Sequence, residues 1–178
     1  MSHGSLDLKK QKTTDLFYVA LMDLMRTKNL NSISITELCK KAGVSRMTFY
    51  RYYDILEDVI LEYIDQIFNN YFELVAKTDS INNYNITRLF FKRFREEKTL
   101  IVNLMNSNVS QILLEKCNNY LFTLTSRIVG EKLYEKQKEN YIVKFIVGGF
   151  FNTLIEWTLN DMNESDEYMA DILYQFCD

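Results

Sequence analysis

The sequence predicts an all-α fold, with a small three-helix helix-turn-helix head followed by a larger helical body, about nine helices in all. Three observations carry this reading. Proline is absent and glycine occurs five times in 178 residues, too few breakers for the closely spaced turns of a β-rich chain. Apolar residues recur at three- and four-residue steps through most of the length. Asparagines cluster between those periodic stretches, as they do in loops that join helices. An apolar share of 47% suffices for a real core, and the length suits one large domain or a small one fused to a medium one.

The elements follow in order. A first helix is predicted from about Leu6 to Thr27, with Leu16, Phe17, Ala20, Leu21, Leu24 and Met25 along one face. Asn29 to Ser32 form a loop. Ser34-Ile-Thr-Glu37 reads as a capping box, in which the serine hydroxyl accepts from the backbone three residues on and the glutamate reaches back. Helix two then covers Ile35 to about Lys41 and buries Ile35, Leu38, Cys39 and Ala42. Gly43 suits the left-handed position after a helix. Val44 tucks inward, Ser45 caps helix three, and that helix runs to about Tyr53, with Phe49 and Tyr53 in the head's core. Helix four, Leu56 to about Lys77, is amphipathic through Val59, Ile60, Tyr63, Ile64, Ile67, Phe68, Tyr71, Phe72 and Val75. After a loop at 78–85, further helices are predicted at 86–96, 98–106, 108–130, 135–161 and 165–177. There is no internal repeat. The chain divides into a head, 1–54, and a body, 55–178.

Charge is unevenly spread. Residues 1–54 carry nine Lys/Arg against five Asp/Glu, a net +4, while the remainder carries twelve against nineteen, a net −7. A basic head on an acidic body points to a local anionic partner. The most apolar run, YIVKFIVGGFFNTLIEW, is interrupted by Lys144, Asn152 and Glu156, short of the roughly 18 to 20 uninterrupted residues that span a bilayer. MSHGSLDLKKQK lacks the apolar stretch of a signal peptide, so a cytoplasmic location is expected. Cys39, Cys117 and Cys177 are odd in number and far apart, which suits buried apolar residues better than a disulfide framework or metal site. No nucleophile motif, phosphate-binding glycine loop or metal spacing is present. The single histidine, His3, stands near the chain start, and the pairs Glu57-Asp58 and Glu96-Glu97 read as helix starts or solvated faces. No enzymatic activity, cofactor or metal is expected.

The stretch ITELCKKAGVSRMTFYRYYD, residues 35–54, carries the functional signal. Two short helices around a glycine turn have the lengths of a helix-turn-helix, whose second helix enters the major groove led by its N-terminal residues. Here those are Ser45, Arg46, Met47 and Thr48. Arg46 suits a bidentate contact to a guanine edge, and Met47 a contact to a thymine methyl. The hydroxyls of Thr48, Tyr50 and Tyr52 suit phosphate oxygens, which fix register without reading sequence. Arg51 adds a second cation to a helix hard to bury. On spacing alone, a DNA reader and a plain helical hairpin with core tyrosines fit equally well.

The segment AGVSRMTFYRYYDILEDVI resembles the most recognisable stretch of the TetR family of bacterial transcriptional regulators, and the likeness extends over residues 8–64. The resemblance implies an all-α homodimer with an N-terminal DNA-binding head and a C-terminal body for dimerisation and ligand binding. It places Ser34, Arg46, Met47, Thr48, Tyr50 and Tyr52 at DNA-contacting positions, and implies a ligand-responsive regulator, commonly a repressor, on a pseudo-palindromic operator. One departure stands out. Family members often carry a phosphate-contacting lysine at the start of helix four, where this chain has Ile55 and Leu56. Lys9, Lys10, Lys12, Lys40 and Lys41 are candidates to compensate. A helical module that never touches DNA draws its only support from that departure.

In the body, FIVGGFFNTLIEWTLNDMNESDEYMADILYQF is similar to the C-terminal region of DhaS-like activators of dihydroxyacetone kinase operons. This raises an alternative in which the body binds a partner protein instead of a small ligand. Gly148 and Gly149 inside a helix cost about 1 kcal/mol each relative to Ala, an expense that close approach of another helix or a ligand offsets. The family implies a four-helix dimer interface from residues 140–160 and 165–177, with Phe145, Gly148, Gly149, Asn152, Ile155, Met169, Leu173 and Phe176 as candidates. The glycines alternatively admit only an internal helix. Candidate ligand residues are Phe90, Phe94, Met105, Leu113, Cys117, Tyr120, Phe122, Phe145 and Trp157, although aromatic stripes at helical spacing are more often core.

Overall fold

A computed structural model describes residues 3–78, 80–128 and 136–176, with side chains over 10–78, 80–123, 138 and 140–175. Cys177 lies outside the described residues, as do the side chains of His3, Lys9 and Phe176. The described residues form nine α-helices and two short 3-10 turns, with no strand among them. The helices are α1 (His3–Met25), α2 (Ile35–Ala42), α3 (Arg46–Tyr52), α4 (Leu56–Ala76), α5 (Asn83–Arg95), α6 (Lys98–Asn106), α7 (Gln111–Ile128), α8 (Lys136–Leu159) and α9 (Asp166–Leu173). The predicted helices are all present. The principal changes are at ends: α5 begins three residues early because Asn82 caps it, its side chain accepting from the Asn85 N–H, and α9 tightens into a 3-10 turn at Tyr174–Phe176. Such tightening is a common way to close a last turn.

The chain forms two compact units, Met1–Ile64 with Asn103–Val109, and Asp65–Val102 with Ser110–Asp178. The core of the first is aromatic. Phe17 and Phe49 are fully buried and meet edge to face at 5.4 Å, and Tyr53 joins them 6.0 Å from Phe17. Tyr53 donates its hydroxyl to Glu62; burial, reinforced by that carboxylate, raises the phenol's pKa. The end of α6 belongs to this unit through two buried polar bonds. Asn103 donates through Nδ2 to the Met22 carbonyl at 2.9 Å, and the Leu30 N–H donates to Ser107 Oγ at 3.1 Å. Buried polar groups satisfied in this way hold a specific geometry.

In the second unit, α5 packs on α9 and α7 on α8. The turn between α8 and α9 puts Asp161 and Met162 in the left-handed region, with φ of 61° and 54°. Arg95 holds this turn from α5: it donates to the carbonyls of Met162 and Glu164 at 2.7 and 2.6 Å and lies over the Trp157 ring at 4.6 Å. Trp157 in turn donates Nε1–H to the Glu164 carbonyl. One stretch of α8, Asn140–Leu159, is long and apolar enough to cross a membrane by length and composition, with mean hydropathy 1.3; the interrupting residues do not lower the average as far as the sequence reading assumes. Val143, Val147, Leu154 and Trp157 of this helix are buried, whereas Lys144, Asn152 and Glu156 are exposed, the pattern of a helix packed on one side.

Candidate functional site

The helix-turn-helix is built from local chemistry. Ser34 Oγ accepts from the Glu37 N–H at 3.1 Å and starts α2. The reciprocal half of the predicted capping box is replaced: the Glu37 carboxylate takes Lys28, which folding brings alongside it. At the far end Gly43 has φ 66° and ψ 28°. Its N–H reaches the Lys40 carbonyl and the Val44 N–H reaches that of Cys39, the paired bonds of a Schellman turn. Ser45 then caps α3 by accepting from the Thr48 N–H at 3.1 Å, and its hydroxyl shares a 2.9 Å bond with Thr48 Oγ1.

These caps fix which face of α3 turns outward. Phe49 and Tyr53 point into the core. Arg46, Met47, Tyr50 and Arg51 are exposed, Met47 at 82% and Tyr50 at 51%, and Thr48 and Tyr52 are half-buried. The Arg46 guanidinium lies 6.0 Å from the Tyr50 ring centre, a cation–π approach that pre-orients the arginine. Of the flanking lysines, Lys41 pairs with Asp23, whose carboxyl it holds below the usual range, and Lys10 pairs with Glu62 at 3.5 Å. Lys12 and Lys40 are exposed.

At the start of α4, where the family lysine would stand, Leu56 is buried and Ile55 is 52% exposed. The Asp58 carboxylate accepts from the N–H groups of Asp54 and Ile55 at 2.8 and 3.0 Å. This cap is absent from the sequence reading above, although Asp58 stands three positions after the capping residue Ile55, the spacing of a capping box. It occupies with a carboxylate the donors that would otherwise favour phosphate.

The second unit contains an apolar cleft of about 440 Å³, counting its open mouth. Phe68, Tyr71 and Phe72 of α4 and Ile86 and Phe90 of α5 form one side; Cys117, Tyr120 and Leu121 of α7 and Val147 and Phe150 of α8 form the other. Phe68 and Tyr120 stack at 4.4 Å, and Phe90 meets Phe150 edge to face at 5.4 Å. The two phenols are engaged: Tyr71 donates to the Ile86 carbonyl at 3.2 Å, and Tyr120 to Asp65 Oδ1 at 3.0 Å, an oxygen that Lys116 also binds. Burial pushes the Cys117 thiol up to about 12; burial, with the Asp65 bond, does the same for Tyr120.

Of the ligand candidates from sequence, the cleft gathers Phe90, Cys117 and Tyr120. Phe94 backs Phe90 at 4.5 Å, Leu113 is buried, Trp157 is covered by Arg95 and Phe91, and Phe122 is partly exposed. Met105 lies in the first unit. Phe145 is 76% exposed on α8. Among the dimer candidates, Gly149 and Asn152 are exposed, Gly148, Ile155 and Leu173 are half-buried, and Met169 is buried. A Cβ added at Gly148 or Gly149 meets nothing within 4 Å, so no close approach among the described residues accounts for these glycines. The cleft residues Phe68, Phe72 and Phe150 were missed; the i, i+4 aromatic pair on α4 was the available signal.

Residues 81–178 match the TetR_C_8 family, described as a transcriptional regulator C-terminal region. None of the curated protein sequences matches this chain. Among solved structures, the chain is similar to Lin0861 from Listeria innocua, with TM-score 0.78 and 20% identity over 96% of this chain and 91% of that one. It is also similar to a TetR transcriptional regulator from Streptococcus agalactiae 2603V, with TM-score 0.65 and 18% identity over 97% of each chain. The dihydroxyacetone kinase operon activator DhaS follows at TM-score 0.60 and 17% identity, over 92% of this chain and 93% of that one. At these identities the likeness is one of fold. The family match covers more than half of the chain, which makes this chain a member of the TetR family of transcriptional regulators.

Proposed function

We propose that the protein is a homodimeric, ligand-responsive repressor whose two heads, residues 1–54, place α3 in successive major grooves of a pseudo-palindromic operator. The observation that carries this reading is the sorting of α3, with Phe49 and Tyr53 buried and Arg46, Met47, Tyr50 and Arg51 exposed together. Arg46 and Met47 read base edges. Ser34, Ser45, Thr48, Tyr50, Arg51 and Tyr52 face phosphate oxygens; the Ser45 and Thr48 hydroxyls share one hydrogen bond, which leaves one O–H of that pair to donate. The body, residues 55–178, supplies the dimer and the ligand site.

Support for the dimer comes from α8 and α9. Tyr141, Phe145 and Leu159 on α8 and Tyr168 and Ile172 on α9 are large, apolar and exposed, and Gly148 and Gly149 leave open space in the same face of α8. A second copy fits better than an unrelated partner because regulators of this family bind DNA as dimers. A partner protein on this face, in the manner of an activator, is the alternative, and a monomer in isolation would favour it. In the proposed mechanism a small molecule in the aromatic cleft of the second unit shifts the spacing of the heads and so the DNA affinity.

The test is a binding comparison on a selected duplex and on its single-base variants. Arg46→Ala should lose about 1–3 kcal/mol of discrimination at one base pair. Tyr50→Phe should weaken binding to all sequences alike. If both variants bind and discriminate as the parent does, α3 is not the reader.

A further inference from the structure

Reading the cleft as the ligand site leaves open what enters it. We propose that it admits an uncharged, predominantly apolar molecule and rejects an anion of the same shape. The inference rests on that reading and sharpens it.

Among the described residues, none of the side chains lining the cleft carries a charge. The polar atoms that reach it are already committed. The Tyr71 hydroxyl donates to a backbone carbonyl at 3.2 Å, and the Tyr120 hydroxyl donates to Asp65 at 3.0 Å. Lys116, the cation bound to this network, is taken by the same Asp65 oxygen and does not line the cleft. A carboxylate or phosphate entering would therefore lose its water and find no cation and no uncommitted phenol, an uncompensated burial of charge. The charge behind Tyr120, Asp65, is paired with Lys116, so this network offers an entering anion no uncommitted cation. What the cleft offers instead is aromatic surface on both sides: the Phe68–Tyr120 stack and the Phe90–Phe150 edge contact.

The experiment is displacement of the uncharged fluorophore N-phenyl-1-naphthylamine from the full-length protein at pH 7.5, by octan-1-ol and by octanoate. The two share a chain length, so their difference reports the headgroup. Octanol should displace the probe at concentrations at least about tenfold below octanoate. Leu121→Lys, at a half-exposed cleft position where a lysine stem can reach solvent, should narrow or reverse that ratio. Equal or tighter binding of octanoate to the parent overturns the neutral-ligand inference and leaves the cleft as a ligand site. A ratio unchanged in Leu121→Lys locates the binding elsewhere and overturns both. Absence of probe binding to the parent also overturns the ligand-site reading and the inference with it. Circular dichroism of the variant separates a changed preference from misfolding.

Discussion

At the scale of single residues, the helix-turn-helix is written in short-range chemistry, and this is why most of it is legible from sequence. Ser34, Gly43 and Ser45 act on backbone groups within five residues of themselves, so their roles follow from spacing alone. Glu37 does not, because Lys28 competes for its carboxylate only once the chain has folded. Ile55 is the residue where the structure changes an expectation most usefully. The missing family lysine was sought at Leu56 as much as at Ile55, yet Leu56 is buried and Ile55 is half-exposed beside Asp54. Ile55→Lys should therefore add one phosphate contact per head and steepen the fall of log K with log salt by about 0.9 for each. Titration of a labelled duplex at several salt concentrations measures this slope. An unchanged slope would mean that position 55 does not face the DNA backbone.

At the scale of elements, helix periodicity located all nine helices; α5 starts three residues early through its Asn82 cap, and α7 starts three residues late, after Asn108 takes the left-handed region with φ 56°. The turn between α2 and α3 sets the direction in which α3 is presented, and Gly43 is its hinge, with φ 66° and no atom within 4 Å of an added Cβ. Gly43→Ala therefore meets no clash, only the cost of a left-handed backbone, about 1 kcal/mol. Urea unfolding should show that loss, and Gly43→Asn a smaller one. If the alanine variant is as stable as the parent, the left-handed turn is not what holds α2 and α3. The aromatic cleft was only partly legible for a different reason. A stripe such as Phe68, Tyr71 and Phe72 looks the same in sequence whether it meets packed core or an open cleft, and only the placement of α7 and α8 against α4 and α5 separates the two.

At the scale of the whole molecule, the charge division was plain from composition: a head at +4 and the remainder at −7 favour DNA contact by the head alone. The polar bonds that fasten the end of α6 into the first unit were not legible, since Asn103 and Met22 are 81 residues apart and Ser107 and Leu30 are 77 apart. The exposed apolar face of α8 carries the proposal of a dimer. Phe145, at 76% exposure, contributes little to the fold of one copy, so Phe145→Glu should leave the helical circular dichroism intact while light scattering reports half the parent's mass. A parent that is monomeric, or a variant that stays dimeric, would place the interface elsewhere. The most direct test of the central claim is selection from a random duplex pool by the purified protein at ~100 mM salt, low enough to preserve phosphate contacts. The account predicts recovery of one inverted repeat with half-sites about one helical turn apart or slightly more. Recovery of no motif, or of a single unrepeated site, would contradict a dimer that reads DNA through α3.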